Sequence, residues 1–414
     1  MAATVTVLRQ PLVLLPATRP LSQASVSFSK YLVRQRSTPP TNISSRYFST
    51  ASSMKSDSAA KLSYHVAASF TAKDHPYDPS THVFHFNPYN RIQQNRSKRS
   101  RPDSGHDAFF VSRVGDSGAV ALGVADGVGG WVDSGVDPAD FSHGFCDYMA
   151  STAYGHGSIK DDPITKGTGD KEPLRAQDLM QKGYQAINED STVIAGGSTA
   201  CVAVASSDGN LDIANLGDSG FIQLRLNAVH TYSEPQTHAF NTPYQLSIVP
   251  PSVAARMAAF GGQNLCDFPK DADVTHHDLR HGDIIVFATD GVWDNLFNQD
   301  ILRIVSNVMT TTGAWLMTKN GVRVVDNLKP FTKPAEDASE RPSAKFLTLQ
   351  SVLAAEITSA AKSASLNRNV DGPFAKGVQK YYPQENWHGG KIDDICVLVL
   401  IASDDSKAAA KSRL

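Results

Sequence analysis

The sequence predicts a layered α+β fold, in which antiparallel strands gather into sheets and long helices are inserted between the strand series. Two series of short apolar runs, each punctuated by Gly- and Asp-containing turns, supply the strands. Longer segments that read as helices fall between and after those series, without the strict strand–helix alternation of a parallel sheet. Of the 414 residues, 41% are hydrophobic and 19% charged, which is ordinary for a globular chain with a sizeable core.

In chain order, the first segment is set apart by charge. Arg9, Arg19, Lys30, Arg34, Arg36, Arg46 and Lys55 precede Asp57, the first acid. With a net charge of −2, the remainder of the chain carries about −9. Residues 1–48, rich in Arg, Ser and Thr and free of acid, have the composition of a mitochondrial presequence, and positive charge is drawn by a matrix-negative potential. The stretch Arg46-Tyr47-Phe48-Ser49-Thr50 resembles presequence processing sites. A Ser-rich tail with scattered Arg is the plainer reading. The apolar run at residues 11–16 is too short to span a bilayer, and no other stretch qualifies, so no membrane span is expected.

Residues 49–100 read as a weakly organised linker. The basic cluster Arg91, Arg96, Lys98, Arg99 and Arg101 reads as a solvated loop, since no RNA-binding aromatic motif accompanies it, and no nucleic-acid partner is expected. Residues 101–403 form the expected catalytic domain. Its first strands are Phe109 to Arg113 and Ala119 to Ala125, joined by Gly115-Asp116-Ser117-Gly118. Helices are expected from Phe141 to Ala153 and from Ala176 to Asn188. Strands follow at Thr199 to Ala205, Leu211 to Asn215 and Phe221 to Leu226. Later come a helix at Pro251 to Phe260, a strand at Asp283 to Ala288, a helix at Ser351 to Ser363 and the apolar run Ile395 to Ile401. The stretch 310–350 mixes Gly, Pro, Lys and Glu without period and reads as a surface insertion, and 404–414 as a tail. Cys146, Cys201, Cys266 and Cys396 lie far apart with no CxxC pair, which argues for reduced, mostly buried thiols.

One local pattern recurs: an apolar strand ends in Asp beside Gly or a second acid. It appears at Ala125-Asp126-Gly127, Gly217-Asp218-Ser219 and Thr289-Asp290-Gly291, and in mirrored form at Asp393-Asp394 before the last strand. Strand ends are rigid posts on which carboxylates can converge, and clustered like charges require a cation. Oxygen-only sets suit Mg2+ or Mn2+ rather than zinc. Each Asp-Gly alone is also a common turn dipeptide; four at strand ends in one chain are harder to assign to turns.

The blocks Gly123-Val124-Ala125-Asp126-Gly127-Val128-Gly129-Gly130-Trp131, Gly197-Ser198-Thr199-Ala200, Asn215-Leu216-Gly217-Asp218-Ser219, Ala288-Thr289-Asp290-Gly291-Val292-Trp293-Asp294 and Asp393-Asp394-Ile395 resemble, in order, the signature blocks of type-2C metal-dependent protein phosphatases. The resemblance spans roughly Gly105 to Ile401. Gly135-Val136-Asp137-Pro138 and residues 241–246 are similar to its mitochondrial branch. It implies an α-β-β-α four-layer sandwich, two antiparallel sheets flanked by helices, with a dinuclear metal site at one edge. It also implies two Mn2+ or Mg2+ ions and a weaker third. Asp126 would bridge both ions, the Gly127 carbonyl would join one, and Asp290 and Asp393 would bind the other, so that Asp126, Asp290 and Asp393 carry catalysis. Asp107 would reach the metals directly or through water. Asp218 and Asp294 would belong to the third site, although Asp294 also reads as a helix cap. The implied reaction is hydrolysis of phosphoserine and phosphothreonine by a metal-activated water, whose pKa falls from about 15.7 towards neutrality, with no phosphoenzyme. Implied partners are matrix phosphoproteins of mitochondrial metabolism or ubiquinone biosynthesis, acted on by a monomer.

The sequence departs from that pattern in places. Val128 stands where many members carry a His proposed to protonate the leaving group, and His106 where many carry an acid. The usual phosphate-contacting Arg has no in-register counterpart, which leaves Arg101 or Arg99 to bind phosphate. His276, His277 and His281 lack the acid or Cys that would complete a zinc spacing. Trp131 and Trp293 are expected to pack over the site. The alternatives are a catalytically impaired member acting as a binding or regulatory protein, and an unrelated two-metal hydrolase of small phosphoesters. The presence of all three central acids separates the first from an active enzyme, and the class of substrate separates the second.

Overall fold

The computed structural model describes residues 61–86, 101–157, 173–259, 266–333 and 348–406. The expected presequence, most of the 91–101 basic cluster including Arg99, and the ends of the chain lie outside them. Two antiparallel sheets form the centre. One runs in the order Val83–His85, Leu62–Thr71, Ile395–Asp404, Ile284–Ala288, Gly220–Arg225, Ala228–Tyr232. The other runs Asp273–Asp278, Asn210–Leu216, Ala200–Ala205, Val120–Asp126, Asp107–Arg113.

Side-chain alternation along the strands builds the layers. In Ile395–Asp404, which is buried throughout, Cys396, Leu398 and Leu400 face the second sheet, where they meet Leu122, Val124, Ala203 and Ile213. The alternate residues Ile395, Val397, Val399 and Ile401 pack on helices Asn298–Thr311 and Leu349–Ser365 through Ile301, Val305, Leu353 and Ile357. On the far side, Ala121, Ala125, Val202 and Val204 pack on helices Pro138–Gly155 and Ala176–Glu189 through Phe141, Phe145, Met149, Leu179 and Ile187. The result is helix–sheet–sheet–helix, the expected α-β-β-α four-layer sandwich. Strands buried on both faces explain why their sequence reads as unbroken apolar runs. Among the described residues, no helix is long and apolar enough to cross a membrane.

Two sequence expectations need correction. Residues 49–100 do not read as a strand, yet Leu62–Thr71 is a ten-residue strand paired along its whole length with Ile395–Asp404. Its residues Ser63, His65, Ser69 and Thr71 break the apolar pattern, and its buried positions mix small Ala67 and Ala68 and polar Ser69 and Thr71 with Val66 and Phe70. The region 310–350 is not wholly a surface insertion. Trp315–Thr318 and Gly321–Val324 form a hairpin, and Trp315 is 1% exposed within the helix-side core. One buried aromatic in a polar stretch leaves no period to read. Residues 334–347 lie outside the described set.

Candidate active site

The acids gather at one edge of the two central sheets because strand ends from both sheets meet there. Asp107 and Asp126 begin and end neighbouring strands and stand directly opposite each other in register. Asp218 lies in the turn between Asn210–Leu216 and Gly220–Arg225. Asp290 opens the short helix Asp290–Trp293 just after Ile284–Ala288, and Asp393 precedes the last strand. Thr289 ties the sheets together at this point. Its Oγ1 donates to Asp107 Oδ2 at 2.7 Å and accepts the Cys396 N–H at 3.0 Å. At Gly127 the backbone turns tightly. Its N–H donates to the His106 carbonyl at 3.1 Å, and a Cβ there would stand 2.8 Å from the Pro138 carbonyl oxygen. A side chain there would clash with the Pro138 and His106 carbonyls, so the chain follows Asp126 as bare backbone.

Electrostatically the cluster is overcharged. Burial, and then the charge of Asp394, lifts Asp107 well above the usual carboxylate range. Burial followed by Asp290 does the same for Asp126 and Asp294, and also raises Asp393. For the same reasons Asp218 is pushed up to about 7. Among the described residues, the buried Asp107 Oδ1 and Asp218 Oδ1 meet no hydrogen-bond partner. Among the described residues, the six carboxylates Asp107, Asp126, Asp218, Asp290, Asp294 and Asp393 are accompanied by one ammonium, that of Lys391, at 2.6 Å from Asp290, 2.6 Å from Asp294 and 3.0 Å from Asp393. Buried carboxylates in this state need more positive charge than one lysine supplies, and the all-oxygen donor set fits hard divalent cations. Among the described residues, no three acidic, His or Cys side chains already close around one point. The ammonium stands among three of the acids instead.

The remaining expected residues separate. Asp294 caps no helix N-terminus: Thr289 precedes Asp290–Trp293, Phe297 precedes Asn298–Thr311, and the Asp294 carboxylate takes Lys391. Arg101 is bound by Asp140 at 2.5 Å and Asp137 at 3.4 Å, so its charge is committed to the start of Pro138–Gly155. The His106 N–H donates to Asp394 Oδ2 at 2.9 Å, which makes this residue an anchor of the turn before Asp107. The three histidines disperse: His276 pairs with Asp212, His277 with Thr275, and His281 with the Asp404 N–H and the Val325 carbonyl. Trp293 donates to the Ala288 carbonyl at 2.8 Å and lines a cleft of about 510 Å³. Asp218, Asp290 and Asp294 form one wall of that cleft, and Tyr232, Phe240 and Phe374 line it elsewhere.

Sequence reasoning missed three residues. Asp394 accepts the Lys73 N–H at 2.7 Å as well as that of His106, which pins the first strand's exit and the turn before Asp107 to the last strand. Asn295 grips the Lys391 backbone on both sides, accepting its N–H at 2.9 Å and donating to its carbonyl at 2.8 Å. Lys391 itself carried a signal, a lone cation two residues before the Asp393-Asp394 pair.

With this architecture in place, the comparisons agree. The sequence pattern of the family described as protein phosphatase 2C matches residues 95–329. The chain belongs to the protein phosphatase 2C family and is a protein serine/threonine phosphatase. Within the family it falls in the PTC7 branch. It is 31% identical to the Saccharomyces cerevisiae protein phosphatase 2C homolog 7, mitochondrial, over 84% of this chain and 90% of that one. It is 32% identical to the Xenopus laevis protein phosphatase PTC7 homolog, over 72% of this chain and 82% of that one. Its fold is similar to that of the photosystem II phosphatase PBCP, with a TM-score of 0.51 and 22% identity over 82% of this chain and 98% of that one.

Proposed function

We propose that the acid cluster holds two divalent cations, manganese or magnesium, and that the protein dephosphorylates phosphoserine and phosphothreonine in proteins of the mitochondrial matrix. The observation that carries the metal reading is the excess of buried carboxylate over cation, with Asp107 Oδ1 and Asp218 Oδ1 left partnerless among the described residues. Asp126 would stand between the two ions and the Gly127 carbonyl would complete one. Asp290 and Asp393 would hold the other, with Asp107 beside them. Bound there, the ions supply an activated water and neutralise phosphoryl oxygens.

This chain's own residues do the rest. Thr289 holds the Asp107 carboxylate through Oδ2, and Asp394 anchors the backbone of the preceding residue, His106. The cleft beside Asp218 and Asp294 receives the peptide, and its aromatic walls exclude water from the flanking residues. Val128 offers no proton to the leaving alkoxide, so solvent supplies it. The thiols take no part: burial pushes Cys146, Cys201 and Cys396 well up, away from thiolate character.

The test is phosphate release from phosphothreonine and phosphoserine peptides and from small phosphoesters. The peptides should be preferred. Activity should vanish with EDTA, return with manganese or magnesium, and survive iodoacetamide. Rapid iodoacetamide inactivation with protection by a phosphate analogue would overturn the mechanism. The location rests on the acid-free, basic composition of residues 1–48 and on the mitochondrial name of the yeast relative. A fluorescent fusion lacking residues 1–48 should stay in the cytosol; matrix fluorescence from it would contradict the assignment.

A further inference from the structure

Lys391 is held more firmly than a surface lysine. Its side chain is 16% exposed, and its ammonium donates hydrogen bonds to Asp290 Oδ2 and Asp294 Oδ2 and lies within ion-pair distance of Asp393 Oδ2, at 3.0 Å. Its backbone is clamped on both sides by Asn295, itself 5% exposed and bonded through Nδ2 to the Gly291 carbonyl at 2.9 Å. The ammonium also lies 5.1 Å from the centre of the Phe374 ring, a wall of the cleft. The ammonium's contacts with Asp290, Asp294 and Asp393 are to Oδ2 in each case. Asp393 Oδ1 accepts the Asp394 N–H at 3.0 Å.

The geometry points to Lys391 as the resident cation of the outer half of the acid cluster: its ammonium occupies the position between Asp290 and Asp294 that a third metal ion would need, so the protein binds two divalent ions and excludes a further one. This inference rests on the two-ion reading above. A divalent ion added at Asp294 would share carboxylate oxygens with an ammonium already in contact with them. Two like charges at that separation repel strongly in a half-buried site. The six carboxylates with one lysine and two divalent ions carry a net charge near −1, so no electrostatic demand for a further ion is left. Lys391 is thus a positioning residue. It orients Asp290 and Asp393 through contacts to their Oδ2 atoms.

The experiment is manganese stoichiometry by native mass spectrometry and equilibrium dialysis on the full chain. The wild type should saturate at two ions, and Asp294→Asn should leave that number unchanged. Lys391→Met should gain a third ion, lost again when Asp294→Asn is added, while Lys391→Arg, which keeps the charge, should return to two. A wild type that binds three ions and loses one on Asp294→Asn overturns the inference, and that comparison holds even if Lys391→Met fails to fold. A folded Lys391→Met protein that stays at two ions overturns it as well. A wild type that binds no manganese would instead refute the two-ion reading, and this inference with it.

Discussion

At the residue scale, the acids divide by how many charges each must balance. Asp126 faces Asp107, Asp218, Asp290 and Asp393 at once, whereas Asp294 sits beside an ammonium that already offsets part of its charge. Asp126→Asn should therefore lower turnover by roughly 100-fold or more and abolish tight metal binding, while Asp218→Asn and Asp294→Asn each lower turnover by roughly 10-fold. Turnover and metal content measured on the three variants check this, and equal losses would contradict the assignment. Gly127 gives a second test. A methyl group there would press on the Pro138 and His106 carbonyl oxygens at 2.8 and 2.9 Å. Gly127→Ala should cost about 1–3 kcal/mol in urea unfolding and weaken metal binding, because the backbone after Asp126, with the Gly127 carbonyl proposed to join one ion, must shift.

At the element scale, the hairpin Thr237–Ala239 with Thr242–Pro243 is held by the His238–Asp267 pair and, next to the cleft, by the ring of Phe240. Phe240 lies 5.4 Å from Phe374, 5.4 Å from Tyr381 and 5.8 Å from Tyr382, at the two ends of helix Pro373–Tyr381. Gly377 leaves the space that the ring fills. Phe240→Ala should remove roughly 1–2 kcal/mol of ring contact, expose the hairpin to limited proteolysis and raise KM for phosphopeptide more than it lowers kcat. An unchanged proteolysis rate would show that the hairpin is held by other contacts. The strands and helices that position the acids were legible because they are buried on both faces or strongly periodic. Helix Ala176–Glu189 matches its expected range to within one residue. Leu62–Thr71 and the Trp315 hairpin escaped because small, polar or isolated residues fill many of their buried positions. The roles of Asp394 and Asn295 were not legible because they bind backbone atoms of residues distant in sequence, and that of Lys391 because its partners Asp290 and Asp294 lie 101 and 97 residues earlier. The Asp pattern at strand ends was legible, since position on a strand end is a local property of the chain.

At the scale of the whole molecule, the cluster stores a cost that a metal relieves. Asp107, Asp126, Asp218, Asp294 and Asp393 all titrate above the ordinary carboxylate range in the folded state. A group with a raised folded pKa contributes stability below its unfolded pKa and loses it as pH rises through the folded value, near 7 for Asp218. Without metal, these acids therefore favour the fold in acid and burden it at neutral pH and above. Saturating manganese should raise Tm, and the increment should be larger at about pH 8 than at about pH 5.5, where protons compete for the same oxygens. Calorimetry at the two pH values with and without EDTA checks this, and an increment that shrinks with rising pH would contradict it.

The most direct test of the central claim is anomalous scattering at the manganese edge from crystals of the protein grown with manganese. The account predicts two manganese peaks at the edge of the central sheets, with Asp126 touching both, the Gly127 carbonyl touching one, and Asp290 and Asp393 touching the other. Peaks elsewhere, or a single ion that Asp126 does not reach, would contradict it.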